Sequence, residues 1–195
     1  MRYLFLILFT VSLNAQILPS QQATHYKKNS VSSDTWDSPT KGNYISISGN
    51  SATSTFSTPS HTWRSVYGST GITSGIMEWE ITIDQWTDTP FNFWELIIGV
   101  SYERSKGGTY LSSGNVGVGY ISQNGKKTNG GNSATYGASY GQGDVIKIQL
   151  NMNNGELKFY LNGDDQGVSH TLDTSKTWYL AASIGNSGTQ ISITG

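Results

Sequence analysis

The chain contains no cysteine among its 195 residues. Disulfides and thiolate metal sites are therefore excluded, and core packing and strand pairing must stabilise the folded state. The chain also lacks an excess of charge of either sign, since 12 basic residues face 13 acidic ones and the net charge is -1. This balance provides no basic face for nucleic acid and no acidic tail, so we expect no nucleic-acid partner.

Long hydrophobic runs are absent apart from one at the N-terminus. Arg2 precedes the apolar residues 4–13, and the small residue Ala15 follows them. This layout predicts a signal peptide over residues 1–15, cleaved before Gln16, because the apolar part is too short to span a bilayer. The alternatives are a buried N-terminal strand and an uncleaved membrane anchor.

The predicted signal peptide implies a secreted protein, extracellular or, in a bacterium, periplasmic, with no stable membrane insertion after cleavage. Residues 16–33 are polar and have no hydrophobic period, which predicts a flexible spacer. We therefore expect one folded domain over residues 34–195.

Glycine is abundant, with 23 residues, and short alternating segments lie between the glycines. In residues 77–84 the side chains of Trp79, Ile81 and Ile83 fall on one face of a strand and polar side chains on the other. Gly-Asn at 49–50 and Asn-Gly at 154–155 and 162–163 predict tight hairpins. Further strands are predicted near residues 44–48, 50–56, 94–100, 116–121, 145–150, 156–161, 178–184 and 189–194. About eleven to thirteen strands and no helix indicate an all-β fold with many turns.

Several segments have the order and spacing of one known family. They are residues 63–66 (Trp-Arg-Ser-Val), 71–75 (Gly-Ile-Thr-Ser-Gly), 78–81 (Glu-Trp-Glu-Ile), 98–100 (Ile-Gly-Val), 118–120 (Val-Gly-Tyr), 140–145 (Tyr-Gly-Gln-Gly-Asp-Val), 154–163 (Asn-Gly-Glu-Leu-Lys-Phe-Tyr-Leu-Asn-Gly) and 178–183 (Trp-Tyr-Leu-Ala-Ala-Ser). Together they resemble the SPRY domain family over roughly residues 34–195. The sequence departs from the family pattern at Glu78, where the family has an aromatic residue, and at Val118, where it has tryptophan.

The resemblance implies a bent antiparallel β-sandwich of concanavalin-like, jelly-roll architecture that binds partners and does no chemistry. In this family, loops at one end of the sandwich dock a short peptide or a protein face. Its members are usually intracellular, often beside ubiquitin-ligase domains, so a signal peptide departs from that habit. We therefore expect a monomeric, non-catalytic binding module for a protein or peptide, without cofactor or metal.

Candidate binding residues are aromatic and basic side chains in or beside the predicted loops. Aromatic side chains in loops on a rigid scaffold suit a binding surface, although they could instead plug the ends of the sandwich. We predict contact loops after Thr58, Ile83 and Tyr102, together with a loop tip at Lys126. The candidates are Arg64, Trp86, Tyr102, Tyr110 and Lys126, with Phe91 and Phe93 in the same predicted loops.

The alternative from a different class is a carbohydrate-binding or glycan-hydrolysing sandwich. Glu78, Glu80 and Asp84 share one strand face, and carboxylates two residues apart on a strand are spaced suitably for an acid and a nucleophile. Trp86 or Trp94 would then stack on a sugar ring. The competing interpretation is an outward-facing polar strand face, because Thr82 stands where jelly-roll glycosidases have an aspartate.

The three histidines give no catalytic or metal-binding pattern. His25 lies in the predicted spacer, and His61 and His170 have no carboxylate or histidine at metal-ligand spacing. No Gly-x-Ser-x-Gly turn leads from a strand into a helix, so a serine nucleophile elbow is not predicted.

Overall fold

The computed structural model describes residues 34–56, 62–86, 96–105 and 107–195. The predicted signal peptide and spacer lie outside the described residues. So do Thr58, Phe91, Phe93, Trp94, His25 and His61.

The described residues form strands joined by turns. The strands are β1 (Ile45–Ser48), β2 (Ser51–Ser54), β3 (Arg64–Tyr67), β4 (Ile76–Gln85), β5 (Leu96–Ser101), β6 (Gly117–Ile121), β7 (Lys126–Asn129), β8 (Asn132–Thr135), β9 (Val145–Asn151), β10 (Glu156–Leu161), β11 (Asp164–Thr171), β12 (Tyr179–Ile184) and β13 (Gln190–Ile193). Within these residues the helical elements are two single 3-10 turns, Ser38–Thr40 and Ser113–Asn115. The prediction of an all-β fold is confirmed. No helix in the described part of the chain is long and apolar enough to cross a membrane.

Two antiparallel sheets make up the domain. The seven-stranded sheet has the order β1-β2-β13-β4-β9-β10-β11, and the six-stranded sheet has the order β3-β12-β5-β6-β7-β8. Every pairing between neighbouring strands is antiparallel. The predicted sandwich of two antiparallel sheets is therefore confirmed.

The main core lies between the two sheets. Trp79, Ile81 and Ile83 alternate along β4 with more exposed polar residues and are fully buried, as their period of two predicts. Opposite them, Ile98 and Leu180 contribute to the same core from the six-stranded sheet. This burial removes a large apolar area from water and supplies most of the driving force for folding.

The predicted hairpins close where the sequence places glycine and asparagine. β10 and β11 are joined through Asn162 and Gly163, whose φ angles are 52° and 93°. Positive φ at both central positions is the conformation that a two-residue turn between right-twisted strands requires. Gly49 and Gly155, at φ 58° and 76°, lie in the β1–β2 and β9–β10 turns, so these two predictions are confirmed as well.

The hairpin of β7 and β8 corrects one prediction. Lys126 begins β7 and pairs with Thr135, so it is a strand residue and not a loop tip. The turn lies just before it, at Gly125 with φ 63°. β8 is exposed along its length at the margin of the sheet. Because such a margin does not need an apolar face, the hairpin has no hydrophobic alternation from which it could have been predicted.

Four aromatic rings link the sheets near β6 and β10. Tyr120 lies within 5.5 Å, centroid to centroid, of the rings of Tyr136, Tyr140 and Phe159. The hydroxyl of Tyr136 donates to the carbonyl of Gly167 at 2.6 Å and accepts the N–H of Phe159 at 3.2 Å. The pairing of β10 with β11 is shifted at this point. The phenol therefore satisfies a backbone N–H at the irregularity and ties the two sheets together.

A buried carboxylate fixes the start of the described chain. Asp34 is 2% exposed, and its Oδ1 accepts the N–H groups of Thr35, Ser69 and Thr70 at 2.9–3.0 Å and the hydroxyl of Ser69 at 2.8 Å. Its Oδ2 accepts the indole N–H of Trp79 at 2.9 Å. These five bonds join the residues before β1, the β3–β4 connection and the centre of the core.

His170 in β11 is held neutral by its surroundings. Burial, together with the neighbouring charge of Lys127, lowers the pKa of His170 to about 4. The Lys127 ammonium donates to the carbonyl of Ser169 at 2.6 Å, and His170 Nδ1 lies 2.6 Å from the Ser169 hydroxyl. Because the pKa of His170 is lower in the folded protein, the unfolded chain binds a proton between about pH 6.5 and pH 4 that the folded protein does not bind.

We predict that the stability contribution of neutral His170 is fully present above pH 6.5 and is lost as the pH falls towards 4. The free energy of unfolding should decrease by up to about 3 kcal/mol more in the wild type than in His170→Gln over this window. Urea unfolding at several pH values measures the difference, and Lys127→Met should show a smaller loss than the wild type. Parallel pH profiles for the wild type and His170→Gln would contradict the assignment.

Candidate binding surface on the six-stranded sheet

A second apolar cluster lies on the outer face of the six-stranded sheet. Tyr67 of β3, Ile97 of β5, Ile121 of β6 and Ala181 of β12 are fully buried there, together with Leu111. Leu111 belongs to residues 102–105 and 107–116, which lie between β5 and β6 and which we call the β5–β6 connection. The connection folds back over the sheet, so β5 is buried on both faces, as its nearly continuous apolar sequence predicts.

Glycine allows this connection to lie close to the sheet. A Cβ added at Gly117 would lie only 2.5 Å from the carbonyl oxygen of Leu111. A glycine inside a strand often marks such a close approach of a neighbouring backbone.

Buried hydroxyl groups fasten the connection to the sheet. The N–H of Leu111 donates to Ser183 Oγ at 2.7 Å, and Ser183 Oγ lies 2.6 Å from Ser65 Oγ. Ser65 Oγ also donates to the carbonyl of Thr109 at 2.5 Å. Because these groups are removed from water, the chain of hydrogen bonds holds the connection in one position.

The edge of the sheet at β3 is covered by two further segments. The N–H groups of Asp37 and Gly42 donate to the carbonyls of Tyr67 and Ser65 at 2.7 and 2.8 Å. The N–H of Ser65 donates to the carbonyl of Gly107 at 3.0 Å. Residues 37–44 and the β5–β6 connection therefore meet along β3.

An open cavity of about 350 Å³ lies where these segments meet. It is lined by Pro39, Thr40, Lys41, Gly42, Asn43, Arg104, Ser105, Gly107 and Gly108. Arg104 Nη1 lies 2.9 Å from Asp37 Oδ2, and the Arg104 guanidinium lies 4.3 Å from the centroid of the Tyr179 ring.

Arg64, one of the predicted binding residues, lies next to this cavity, and Tyr110, another, follows two residues after the lining residue Gly108. Arg64 Nη1 donates to the carbonyls of Trp63 and Gly108 at 2.7 and 3.4 Å. The Tyr110 ring packs edge-on against Trp63 at 6.2 Å between centroids. The structure therefore brings Arg64 and Tyr110 together through the neighbouring residues of their two segments.

Tyr102 is at the other end of the β5–β6 connection. Its ring packs edge-on against Trp178 at 5.3 Å, and Lys176 Nζ lies 5.4 Å from the ring centroid. Tyr102 is half-buried and rests on the main core. It shares the connection with Arg104 and Tyr110, but it packs against the core between the sheets, whereas Tyr110 packs against the outer cluster.

Trp86 and Lys126 are placed elsewhere. Trp86 follows β4 in the seven-stranded sheet, its N–H donates to Gln142 Oε1 at 3.2 Å, and its ring packs against the core. Lys126 is in the six-stranded sheet, but three strands separate β7 from β3. At the usual strand spacing this corresponds to about 19 Å.

The carboxylates of β4 lie on the outer face of the other sheet. Glu78 accepts the amide of Gln149 at 2.7 Å and lies 3.9 Å from Lys147 Nζ, and Asp84 accepts the hydroxyl of Ser192. Glu80 is exposed between them. This placement agrees with the interpretation of an outward polar face. Within the described ranges, no group of histidine, aspartate and glutamate side chains could hold a metal ion.

Four cavity-side residues were not predicted from the sequence: Lys41, Tyr44, Arg104 and Tyr179. They come from three segments far apart in sequence and are assembled only by the fold. Of these four residues, only Arg104 could have been selected from the sequence, because it follows Tyr102 in a predicted contact loop.

Comparison with known proteins identifies the family. Residues 76–195 match the model of the SPRY domain, which is more than half of the chain, and the chain belongs to the SPRY domain family. No curated protein sequence matches the chain.

Solved structures have the same fold. The SPRY domain of human HERC1 is 21% identical with a TM-score of 0.65, and the match covers 81% of this chain and 96% of that chain. The TRIM65 PSpry domain is 14% identical with a TM-score of 0.64, and the match covers 83% and 92%. Stonustoxin is 18% identical with a TM-score of 0.62, and the match covers 83% of this chain and 27% of that chain.

We predict that Ser183→Ala loosens the β5–β6 connection. The N–H of Leu111 would remain buried without its acceptor, which costs about 1–3 kcal/mol. Hydrogen exchange at the Leu111 amide should become faster, and the protein should remain folded. Ser192→Ala, on the exposed face of the seven-stranded sheet, is the matched control. Unchanged exchange at Leu111 in Ser183→Ala would show that this hydroxyl does not hold the connection.

Proposed function

We propose that this protein is a secreted, non-catalytic module that recognises a protein or peptide segment. The surface we assign to this role runs along β3 and the β5–β6 connection and includes Arg64, Tyr102 and Tyr110. Domains of the SPRY family mediate protein interactions, which supports the general class of function.

The observation that carries the proposal is the arrangement of the β5–β6 connection. Its backbone is fastened by buried hydroxyls, and Tyr102 and Tyr110 remain half-exposed, one before and one after the connection residues that line the open cavity. Aromatic and arginine side chains are frequent binding anchors, and a fixed backbone lets them bind without the entropy cost of ordering a loop. A surface of this kind suits recognition.

The binding role of this surface predicts that replacing its side chains weakens peptide binding without unfolding the protein. The double variant Arg64→Ala, Tyr102→Ala should lose at least about tenfold in affinity for peptides selected from a phage-displayed random library. Its thermal unfolding should remain cooperative, because both side chains are partly exposed. Isothermal titration calorimetry measures the binding.

Lys158→Ala, on the opposite sheet and paired with Asp165 at 3.3 Å, is the control and should bind as the wild type does. Equal affinity in the double variant would remove Arg64 and Tyr102 from the site. A glycan array and a hydrolysis assay test the other class. Turnover that is lost in Glu80→Gln would replace the recognition proposal with an enzyme.

Secretion predicts a defined N-terminus. When the full-length chain is expressed in a host with a secretory pathway, the exported protein should begin at Gln16, and intact-mass measurement or N-terminal sequencing detects this. Leu8→Arg should block export, because it interrupts the apolar part of the leader. Export of the Leu8→Arg variant, or retention of residues 1–15 in the exported protein, would contradict the prediction.

A further inference from the structure

The cavity at the β3 edge is built on a close contact between two glycines. A Cβ added at Gly42 would lie 2.0 Å from the carbonyl oxygen of Gly107, and one added at Gly107 would lie 2.7 Å from the backbone nitrogen of Gly42. Any larger residue at either position would push the two segments apart. The cavity walls are therefore fixed relative to each other by backbone contact.

Cationic side chains dominate this cavity. Lys41 and Arg104 line it, and Arg64 reaches its rim by donating to Gly108. Two carboxylates are nearby: Asp37 pairs with Arg104, and Glu103 accepts the hydroxyl of Ser105. Among the described residues, Lys41 forms no ion pair, so a positive charge at the cavity wall is left without a counter-charge.

Arg104 is held in position before any ligand arrives. One face of its guanidinium packs on the Tyr179 ring, and its Nη1 is fixed by Asp37. A guanidinium carries five N–H donors, and the bond to Asp37 uses one of them. Within the described residues no other acceptor engages the remaining donors, which match the geometry of a second carboxylate.

Tyr44 provides an apolar surface beside the cationic wall. Its backbone has a φ of 65°, a left-handed conformation that is unfavourable for an aromatic residue, and its side chain is 58% exposed. The ring lies 5.7 Å from the Arg64 guanidinium. Strain of this kind persists where the surrounding structure imposes it, and here it directs an aromatic ring towards solvent next to Asn43 of the cavity.

We propose that this cavity binds a carboxylate group of the partner segment, with Lys41 and Arg104 as the cationic contacts and Tyr44 packing against the adjoining residue. The proposal rests on the recognition function above and names its ligand chemistry. The carboxylate is supplied by an aspartate or glutamate side chain or by the C-terminus of a peptide, since a cavity of about 350 Å³ admits a side chain or a chain end.

The test uses peptides selected from the random library with the wild-type protein. The selected sequences should be enriched in aspartate or glutamate, or should require a free C-terminus. Replacing the acidic residue with its amide should weaken binding at least about tenfold, and amidating the C-terminus separately distinguishes the second source. Calorimetry measures each dissociation constant.

Variants assign the effect to the cavity. In Lys41→Gln and Arg104→Gln the difference between the acidic peptide and its amide should shrink by at least about threefold, whereas Lys158→Gln should preserve it. Lys41→Gln removes no ion pair with a described residue, so it keeps the test valid if Arg104→Gln proves unstable. Equal affinity for the acid and amide peptides would overturn the carboxylate site while leaving the recognition function intact.

A second measurement does not depend on finding a peptide. Titration with N-acetylglutamate, followed by NMR, should shift the backbone amides of Gly42, Gly107 and Gly108, and the shifts should be reduced in Lys41→Gln. If the library yields no binder, the proposed recognition function is contradicted, and this titration alone tests whether the cavity binds a carboxylate. Unchanged amide positions up to high concentrations of the probe would overturn it.

Discussion

The arrangement of the binding surface depends on the hydrogen bonds that the carboxylate of Asp34 accepts. It is buried and accepts five hydrogen bonds, and no cation pairs with it among the described residues. Its desolvation is therefore compensated by N–H and O–H groups alone. Three of these groups belong to the turn after β3 and one belongs to Trp79 at the centre of the core, so Asp34 joins the first of the described residues to the interior of the fold.

The position of Asp34 determines the path of residues 36–42 along the sheet edge. With Asp34 fixed, Trp36 forms a bridge with Gly68, and the N–H groups of Asp37 and Gly42 reach the carbonyls of β3. The edge of the six-stranded sheet is thereby covered, which protects its unpaired backbone groups from other chains. The same covering segment forms one wall of the cavity. Stability at the edge and the shape of the proposed site thus have one cause.

The sequence predicts the scaffold better than it predicts the site, for a physical reason. Strand alternation, as in β4, and positive-φ turns, as at Asn162 and Gly163, are local properties that a short window of sequence contains. The cavity brings Lys41 next to Arg104, residues more than sixty positions apart, and the contact between Gly42 and Gly107 has no local signature. Arg64 and Tyr110 could be chosen because exposed cations and aromatics are expected in loops. That the two lie near each other, and that Trp86 and Lys126 lie elsewhere, is decided by tertiary packing.

The residues around the cavity lie partly inside and partly outside the region that matches the family, and this bears on the specificity of binding. The match begins at residue 76, whereas Lys41, Tyr44 and Arg64 all precede it. The β5–β6 connection, which lies inside the match, supplies only the other wall of the cavity. A ligand held between the walls would contact both parts of the chain. Changes in the side chains of residues 37–44 would therefore alter what is bound while the packing of the two sheets is preserved, because the hydrogen bonds of this segment to β3 come from backbone N–H groups.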